Sequence, residues 1–318
     1  MQTGESPIRN PQSAIRNPHL RRYWNFVRPF TLLVPAIGMM GGSLVAWGAP
    51  PRWQSDWGSG PEQLTIQILL GGLMAAVLNA GSNALNQIFD LELDRINKPE
   101  RMLPAGQMTM REAWAICCAA FITALAIAAW INWQCFLLAV AAVFLTASYS
   151  VPPLRTKRHG IWANLTIAIP RGTLLFVAGW SVVKTIAQPE PWWIGAVFGI
   201  YFLGATTTKD FSDIEGDRVH GCNTLPVLYG VRKAAYLMSP FLIFPFLLIA
   251  AGALAGVLHG NRLLLVSIGL ALSAWGSYIA YLILRKPEEL SKENHVSWKH
   301  MYLLTVTAQV GMALAYLM

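Results

Sequence analysis

The chain is 318 residues long, and 54% of its residues are hydrophobic while only 13% are charged. Its mean hydropathy is +0.43, and uncharged runs of about 20 residues recur along its length, which excludes a soluble globular domain and predicts a polytopic membrane protein. The formal net charge of +8 fits a positive rim against anionic lipid headgroups. It does not indicate a nucleic-acid partner, because no basic folded domain is left over to bind one.

The N-terminal segment, residues 1–22, is polar, basic and rich in Pro and Asn, so we expect a disordered arm. Residues 23–318 then form a single transmembrane domain. Apolar runs between charged or Pro/Gly-rich breaks predict an all-α bundle of nine transmembrane helices. We expect these spans at roughly 30–49, 63–88, 113–131, 135–150, 161–183, 192–209, 234–258, 263–284 and 301–317.

The third and fourth spans are separated only by residues 132–134. A single kinked re-entrant element is the alternative to two crossings. We expect a tight hairpin of two spans, because the two runs together are too long for one crossing.

The distribution of basic residues predicts the orientation of the bundle, since Lys and Arg accumulate in cytoplasmic loops. The N-terminal arm and the loops after spans two, four, six and eight hold twenty of the 24 Lys and Arg residues. The loops of the other face hold three, Arg52, Lys184 and Arg262. We therefore expect a multi-pass protein of a bacterial-type inner membrane, with a cytoplasmic N-terminus, a cytoplasmic-side active-site cavity, and the C-terminus on the opposite side.

An acidic run, "NQIFDLELDRINKPERMLPAG" at 86–106, follows the second span. If the helix continues past Leu85, Asn86, Asp90 and Asp94 recur every fourth residue, each only about 40° further round the axis. One amide and two carboxylates then line a single stripe. The helix should end near Asn97, because Pro99 disfavours helical backbone in the residue before it.

A second acidic run, "KDFSDIEGD" at 209–217, lies where the sixth span reaches the same side. On a helix, the spacing of Asp210, Asp213 and Asp217 places three carboxylates on one face, while Glu215 points away. Two acidic stripes are therefore predicted at helix ends on one membrane face.

Oxygen ligands from Asp and Asn, with no Cys or His in the run, suit a hard divalent cation such as Mg²⁺, which shares its coordination with substrate phosphates. Basic residues lie beside each stripe, including Lys98 and Arg218, and this mixture suits a diphosphate with its metal ions. Acidic residues are also ordinary in cytoplasmic loops, and a single D-x-x-x-D occurs often by chance. Geometry alone leaves both interpretations open.

The first acidic run resembles the N-x-x-x-D-x-x-x-D motif of the UbiA superfamily of intramembrane prenyltransferases. The segment "DIEGDRVHGCNTLPVLYG", 213–230, resembles that family's second motif, and "YSVPPLRTKRHG", 149–160, resembles its loop after the fourth helix. The likeness covers nearly everything after the first twenty or so residues. It implies a nine-helix fold and a reaction in which Mg²⁺ holds a prenyl diphosphate, the allylic carbon–oxygen bond ionises, and an acceptor captures the carbon.

The resemblance also implies roles for named residues. The metal ligands would be Asn86, Asp90, Asp94, Asp213 and Asp217, with Asp210 added to or orienting the second cluster. Asp90, Asp94, Asp213, Asp217 and Tyr149 would form the catalytic set, Tyr149 by hydrogen bonding the leaving group or shielding the cation. Candidates for contacts to the diphosphate are Arg101, Arg155, Lys157 and Lys209. Each of these basic residues has an alternative role in setting the topology.

Arg171 differs from the other basic residues because it lies mid-span in "IAIPRGTLLF". A charge at membrane depth is costly, so we expect it to face a polar cavity or a partner, and Pro170 would open the helix locally. The family's homogentisate prenyltransferases resemble this chain in having an Arg-Gly pair there. Arg171 and Asn164 are thus candidate substrate-side residues, and a structural ion pair is the alternative for Arg171.

The acceptor is the finer question. The first two residues of the first acidic run, "NQ", and its last part, "RINKPERMLPAG", resemble the homogentisate, chlorophyll-synthase and geranylgeranylglyceryl-phosphate branches of the family. An aromatic acceptor of the quinone or tocopherol type is our first expectation, and a glycerophosphate precursor of ether lipids is the second. The family commonly has Arg-Pro where this chain has Arg101-Met102, a departure that affects the loop but no expected metal ligand.

Four rival functions remain. A secondary transporter would place its key residues near the midplane, whereas these stripes lie at one face. A CDP-alcohol phosphotransferase would need an acidic motif that this chain lacks. A terpene cyclase on the same scaffold needs the same ionisation without an external acceptor, and a non-catalytic membrane protein would not need all five expected ligands. The sequence does not indicate an oligomeric state.

Overall fold

A computed structural model describes residues 18–291 and 295–318, so residues 1–17 of the expected N-terminal arm lie outside the described residues. The described part differs from the expected arm at once, because helix α1 begins at Pro18 and continues to Val27. The apolar side chain of Phe26 is fully buried. Phe26 follows the expected arm and packs in a cluster with Leu85 and Ile88 of α3.

The described residues form helices and turns without any strand. Short 3-10 turns at Pro29–Leu32, Thr156–Arg158, Thr208–Phe211, Phe244–Phe246 and Pro287–Ser291 join or extend the α-helices. The remaining α-helices are α2 (Leu33–Gly48), α3 (Pro61–Phe89), α4 (Leu91–Asn97), α5 (Met110–Ile131), α6 (Trp133–Ser150), α7 (Ile161–Ala168), α8 (Leu175–Ser181), α9 (Pro189–Thr207), α10 (Ile214–Val219), α11 (Leu225–Tyr229), α12 (Val231–Met238), α13 (Pro240–Ile243), α14 (Leu247–Leu254), α15 (Arg262–Arg285) and α16 (Val296–Leu317).

Eight helical stretches within the described residues are long and apolar enough to cross a membrane. They are Pro29–Gly48, Pro61–Phe89, Met110–Ile131, Trp133–Ser150, Ile161–Ser181, Val231–Leu254, Arg262–Arg285 and Val296–Leu317. Each corresponds to one of the nine predicted spans. The sixth predicted span is the 19-residue helix α9, which is not among the eight. The chain is therefore an all-helical membrane protein with eight candidate spans, and a ninth remains a prediction.

The third and fourth spans are two separate helices joined at Asn132, which agrees with the expected hairpin. The side-chain Oδ1 of Asn132 accepts from the backbone N–H of Cys135 at 2.9 Å and so caps the start of α6. Its Nδ2 donates to the carbonyl of Ser181 at 2.7 Å, which ties the hairpin to α8.

Close helix packing uses small residues, because two backbones can approach only where side chains are absent. Helix α2 packs against both α8 and α16. A Cβ atom at Gly42 would lie 2.7 Å from the carbonyl oxygen of Phe176, and one at Gly41 would lie 3.2 Å from that of Gln309. Larger residues at these positions would push the neighbouring helices apart.

Two spans are interrupted. The fifth consists of α7, a π-helical segment at Ile169–Leu174, and α8. Pro170 lacks the N–H that an α-helix would need, so a wider turn at this point has a local cause. The seventh span consists of α12, α13, a 3-10 turn and α14, with Pro240 and Pro245 at its breaks. The π-helical segment carries Arg171.

Candidate active site

The first acidic motif extends from the end of α3 into α4. Helix α3 ends at Phe89, and Asp90 sits between the two helices with a turn-like backbone. The backbone N–H of Asp90 donates to the carbonyl of Asn86 at 2.9 Å, and that of Asp94 donates to Asp90 at 2.7 Å. The four-residue spacing therefore persists through the bend. Helix α4 ends at Asn97, as Pro99 predicted.

The second acidic motif is less regular than predicted. Helix α9 ends at Thr207, a 3-10 turn follows, and Asp213 precedes the short helix α10. The expectation of one continuous helical face was therefore wrong in detail. Glu215 points away as expected and is exposed.

Both motifs line the same cavity, the acidic cavity. Its wall includes five carboxylates, three basic side chains and several other groups, namely Asp90, Asp94, Asp210, Asp213, Asp217, Arg101, Lys157, Lys209, Tyr149, Leu93, Cys222 and Thr224. Three separate stretches of the chain thus meet at one point, after the second span, after the fourth span and after α9. The expected juxtaposition of Asp90 and Asp213 is present.

Ion pairs hold three of these carboxylates. Lys157 pairs with Asp90 and Arg101 pairs with Asp94, while the Nζ of Lys98 lies 2.8 Å from Asp213 Oδ1. Burial of a charge is costly unless an opposite charge compensates it, so each pair makes the burial of its carboxylate tolerable. The Lys98 contact also bridges the first motif to the second.

The oxygen atoms of the acidic cavity are chemically suited to Mg²⁺. Within residues 18–291 and 295–318, no group of three Asp, Glu, His or Cys side chains is arranged around a single metal position. The chemistry nevertheless fits, because Asp94 is 2% exposed and its Oδ2 atom has no hydrogen-bond donor among the described residues. A buried anionic oxygen without a donor is costly to fold unless a cation binds it. Oxygen atoms of this kind suit Mg²⁺.

The carboxylates of the second motif differ in their electrostatics. For Asp213, burial opposes ionisation, but the charges of Lys209 and Lys98 outweigh it and lower the pKa. Burial and the nearby charge of Asp213 raise the pKa of Asp217 to about 6. Burial, with the charge of Asp217, also raises the pKa of Asp210 well above its ordinary value. Like charges packed this closely resist ionisation until a cation binds between them.

Asn86 and Tyr149 lie at the boundary of the acidic cavity. The Nδ2 of Asn86 donates to Asp90 Oδ2 at 2.6 Å, so the first two residues of the motif are in direct contact. Asn86 lines a second and larger cavity, and Tyr149 lines both. These two residues therefore separate a charged chamber from an apolar one.

The larger cavity has a volume of about 890 Å³. Most of its wall is apolar and comes from α2, α3, α6, α8, α9 and α16, with residues such as Met39, Leu78, Ala142 and Phe202. It shares Tyr149 and Lys209 with the acidic cavity. We call it the apolar cavity.

Two arginines face the apolar cavity. Arg171 lines it from the π-helical segment, so it faces a cavity as expected, but the wall of that cavity is mostly apolar. Arg28 lines it from the entrance to the first span. The Nη2 atom of Arg28 is buried and has no hydrogen-bond partner within the described chain. Burial, with the charge of Arg101, lowers the pKa of Arg28 to about 10, and Arg171 adds to this effect. These cations therefore lie close enough to repel one another.

Two predicted site residues lie elsewhere. The Nη2 of Arg155 donates to the carbonyl of Phe89 at 3.1 Å, where it satisfies the end of α3, and Arg155 lines neither cavity. The Nδ2 of Asn164 donates to the Oγ1 of Thr207 at 2.5 Å, which ties α7 to α9. These contacts give both residues a structural role. Their functional roles rest on the resemblance alone.

Three residues at or beside the cavities had no predicted role in the site, namely Lys98, Arg28 and Trp298. The indole Nε1 of Trp298 is a second buried donor without a partner among the described residues, and it lines the apolar cavity. Lys98 had been noted only as a basic neighbour of the first motif. Arg28 immediately precedes the first span, where a basic residue is ordinary. Only the fold shows that it turns into the bundle.

Comparison with known proteins agrees with this geometry. A sequence profile of the UbiA prenyltransferase family matches residues 33–306. A solved structure of a UbiA homologue from Archaeoglobus fulgidus bound to GPP and Mg²⁺ superposes with a TM-score of 0.71, at 21% identity, over 93% of this chain and 100% of that one.

Two curated relatives have different names. A digeranylgeranylglyceryl phosphate synthase from Thermococcus gammatolerans is 31% identical over 277 residues, which cover 85% of this chain and 90% of the relative. A probable homogentisate phytyltransferase 2 of rice, Oryza sativa, is 29% identical over 258 residues, covering 79% of this chain and 66% of the relative.

Proposed function

Because the chain belongs to the UbiA prenyltransferase family and is therefore an intramembrane prenyltransferase, we propose that it transfers a prenyl chain from a prenyl diphosphate, with Mg²⁺, onto a lipophilic acceptor that carries a phosphate. An acceptor of the geranylgeranylglyceryl-phosphate type fits this description. The observation that carries the proposal is the pairing of two cavities. An acidic chamber with basic residues adjoins an apolar chamber that is lined by two arginines, and the Nη2 of one of them, Arg28, is buried without a partner in the described chain.

The acidic cavity is the proposed diphosphate end. Asn86, Asp90 and Asp94 from one motif and Asp210, Asp213 and Asp217 from the other are the residues that would hold Mg²⁺. When bound, Mg²⁺ supplies charge stabilisation for the departing diphosphate. The archaeal homologue bound to GPP and Mg²⁺ shares the fold of this chain and supports this assignment.

The basic residues of the cavity have two uses in this proposal. In the described structure Lys157, Arg101 and Lys98 neutralise carboxylates. With their carboxylates bound to Mg²⁺, the same ammonium and guanidinium groups would be free to bind phosphate oxygens. The planar guanidinium of Arg101 suits bidentate binding, and Lys157 and Lys209 act as point charges. The chain thereby keeps its buried charges balanced in both states.

Tyr149 would lie between the departing diphosphate and the prenyl chain. It lines both cavities, so its phenol can donate to a diphosphate oxygen while its ring shields the allylic carbon from water. The prenyl tail would occupy the apolar cavity, where an apolar chain is favoured over water.

The acceptor is proposed from the arginines. Arg28 and Arg171 are charges in a mostly apolar chamber, and an anionic group on the acceptor would compensate both. The 31% identical relative from Thermococcus gammatolerans is named for a glycerophosphate product, which supports a phosphate as that group. Our first expectation, an aromatic acceptor, has less support. It remains a second candidate because the rice relative is named for homogentisate, whose carboxylate could bind the same arginines.

We also propose that the acidic cavity faces the cytoplasm of a bacterial-type cell. Loops after the second and fourth spans and after α9 meet at this cavity, and these loops carry many of the basic residues that favour the inner face. Their meeting on one side of the bundle supports the topology inferred from charge.

Incubation of membranes with labelled geranylgeranyl diphosphate and a panel of acceptors tests the proposal. The panel contains geranylgeranylglyceryl phosphate, homogentisate, 4-hydroxybenzoate, dihydroxynaphthoate, chlorophyllide and no acceptor. We expect Mg²⁺-dependent label transfer to the glycerophosphate, and none from an Asp213→Asn variant. Preferred transfer to an aromatic acceptor would move the assignment to the second candidate. A labelled hydrocarbon formed without acceptor would indicate a cyclase instead.

A further inference from the structure

Asn97 connects the two acidic motifs through two hydrogen bonds between its side chain and the backbone of the second motif. It is the last residue of α4, next to the first motif. Its Oδ1 accepts from the backbone N–H of Gly216 at 3.0 Å, and its Nδ2 donates to the carbonyl of Asp213 at 3.3 Å. One side-chain amide therefore binds both a backbone N–H and a backbone carbonyl at the start of α10.

Gly216 allows this approach. A Cβ atom at position 216 would lie 2.5 Å from the Nδ2 of Asn97, 2.6 Å from its Oδ1 and 2.7 Å from its Cγ. Apart from the chain neighbours of Gly216 and the backbone of its own helix, these three atoms are the nearest to that point, so Asn97 occupies the space beside residue 216. The motif spacing D-x-x-G-D thus has a geometric reason, because any side chain at 216 would displace the amide.

The contact differs in kind from the neighbouring ion pair. Lys98 contacts Asp213 through a carboxylate oxygen, Oδ1, and so competes with any cation that binds there. The two hydrogen bonds from Asn97 reach backbone atoms of the same segment, so this amide occupies no carboxylate oxygen of Asp213 or Asp217. The amide is also neutral, so its hydrogen bonds do not depend on which ion the carboxylates bind.

We infer that Asn97 and Gly216 form a clamp that sets the distance between the two acidic motifs, and that Asn97 is therefore a positioning residue for the Mg²⁺–diphosphate unit. The inference rests on the proposed function. Carboxylates on two separate short helices can bind one diphosphate with its metal ions only if those helices keep a fixed separation. The residues that orient metal ligands typically change metal affinity by about 10–100-fold when they are replaced.

Binding measurements on the full chain in detergent test the clamp. Calorimetry would follow the binding of Mg²⁺ with inorganic diphosphate to the wild type, Asn97→Ala, Gly216→Ala and the double variant, and a melting temperature would report on the fold of each. Glu215→Ala is the matched control, because Glu215 is the exposed neighbour of Gly216 on α10. We expect each single variant to bind about 10–100-fold more weakly, and the control to bind as the wild type does.

The double variant gives the sharper result. Because the three atoms nearest to a methyl group at 216 all belong to the Asn97 side chain, removal of that side chain should remove the effect of Gly216→Ala. The double variant should bind as Asn97→Ala does. Wild-type affinity in Asn97→Ala, or a double variant whose loss is the product of the two single losses, would overturn the clamp. Failure of the wild type itself to bind would instead refute the proposed function, and the clamp with it.

Discussion

Lys157 forms an ion pair with Asp90 inside the acidic cavity, and both side chains are buried. The two residues belong to parts of the chain separated by two membrane spans. Their contact fixes the loop after the fourth span against the first acidic motif. Removal of either charge alone would leave the other buried without a partner, so the pair is expected to be structurally as well as chemically important.

Neutral replacement of one carboxylate in each motif should abolish transfer. Asp90→Asn and Asp213→Asn keep the shape of the side chain but remove the charge that a metal needs. We expect prenyl transfer to fall by about 100-fold or more in each variant, since each group acts on charge that develops as the diphosphate leaves. Initial rates with a labelled prenyl diphosphate, together with melting temperatures in detergent, measure the effect.

The short helices that follow Asp90 and Asp213 offer matched controls for these variants. Glu92 lies on α4 and Glu215 on α10, and both are exposed. Glu92→Gln and Glu215→Gln should retain wild-type rates. If an acidic motif variant turns over at a rate close to that of its control, that motif carboxylate does not bind the metal.

The sequence predicted the acidic motifs well because their signal is local. Four-residue spacing survives the bend at Asp90, since the hydrogen bonds to Asn86 and from Asp94 continue through it. The second motif lines the same acidic cavity as the first, although the chain there forms a 3-10 turn and a new helix instead of one continuous helix. Side-chain direction within a broken segment depends on packing, which spacing alone does not describe.

Other parts of the site depend on contacts between distant residues, and the sequence could not supply them. Arg155 and Lys157 are two positions apart in one basic loop, yet Lys157 enters the acidic cavity while Arg155 turns to the carbonyl of Phe89. Arg28 was indistinguishable from an ordinary basic residue at a membrane boundary. Conversely, a cavity beside Arg171 was predictable, because a charge in the middle of an apolar span is costly unless it avoids the lipid. The mostly apolar wall of that cavity was not predicted.

The pKa of Asp217 predicts a pH dependence of metal binding. In the folded, metal-free protein this pKa is raised from 3.8 to about 6, so Asp217 holds a proton below pH 6. A metal ion must displace that proton, and its apparent affinity should fall as the pH drops below 6, by at most about tenfold per unit for one proton. Calorimetric titration with Mg²⁺ between pH 5 and pH 7.5, values chosen around that pKa, would follow the change.

The sign of this effect is specific to a raised carboxylate pKa. A carboxylate with its ordinary pKa of 3.8 would be ionised throughout that range and would show no step near pH 6. A Mg²⁺ affinity that stays constant between pH 5 and pH 7, on both sides of the pKa, would contradict the role of Asp217 as a ligand.

Prenyl-transfer activity should also be lost with EDTA and return with added Mg²⁺.

Arg171 should govern the acceptor and not the prenyl diphosphate. It lines the apolar cavity but not the acidic one. Hydrogen bonds to charged groups are worth about 1.5–3 kcal/mol, so Arg171→Gln should raise the KM for an anionic acceptor by about 10–150-fold. The KM for the prenyl diphosphate should change little. Steady-state kinetics with each substrate varied in turn separates the two effects.

Arg95 is the control for this substitution, because it is exposed on α4 and pairs only with Glu92 among its ion-pair contacts in the described chain. Arg95→Gln should leave both KM values unchanged. If Arg171→Gln raises the KM for the diphosphate and leaves that for the acceptor unchanged, the proposed division of the two cavities is wrong.

The apolar cavity should limit the length of the prenyl chain. Ala142 lies on α6, lines this cavity and is 8% exposed. In Ala142→Phe the larger side chain would fill part of the volume that the tail needs, at a stability cost of about 1–3 kcal/mol for overpacking. Because a long chain must reach past that ring and a short chain need not, kcat/KM for a geranylgeranyl donor should fall relative to a geranyl donor, by about tenfold or more. Val140→Phe on the same helix is the control, since Val140 is 39% exposed and lies outside the cavity lining. Equal losses with both donors in Ala142→Phe would show that the tail lies elsewhere.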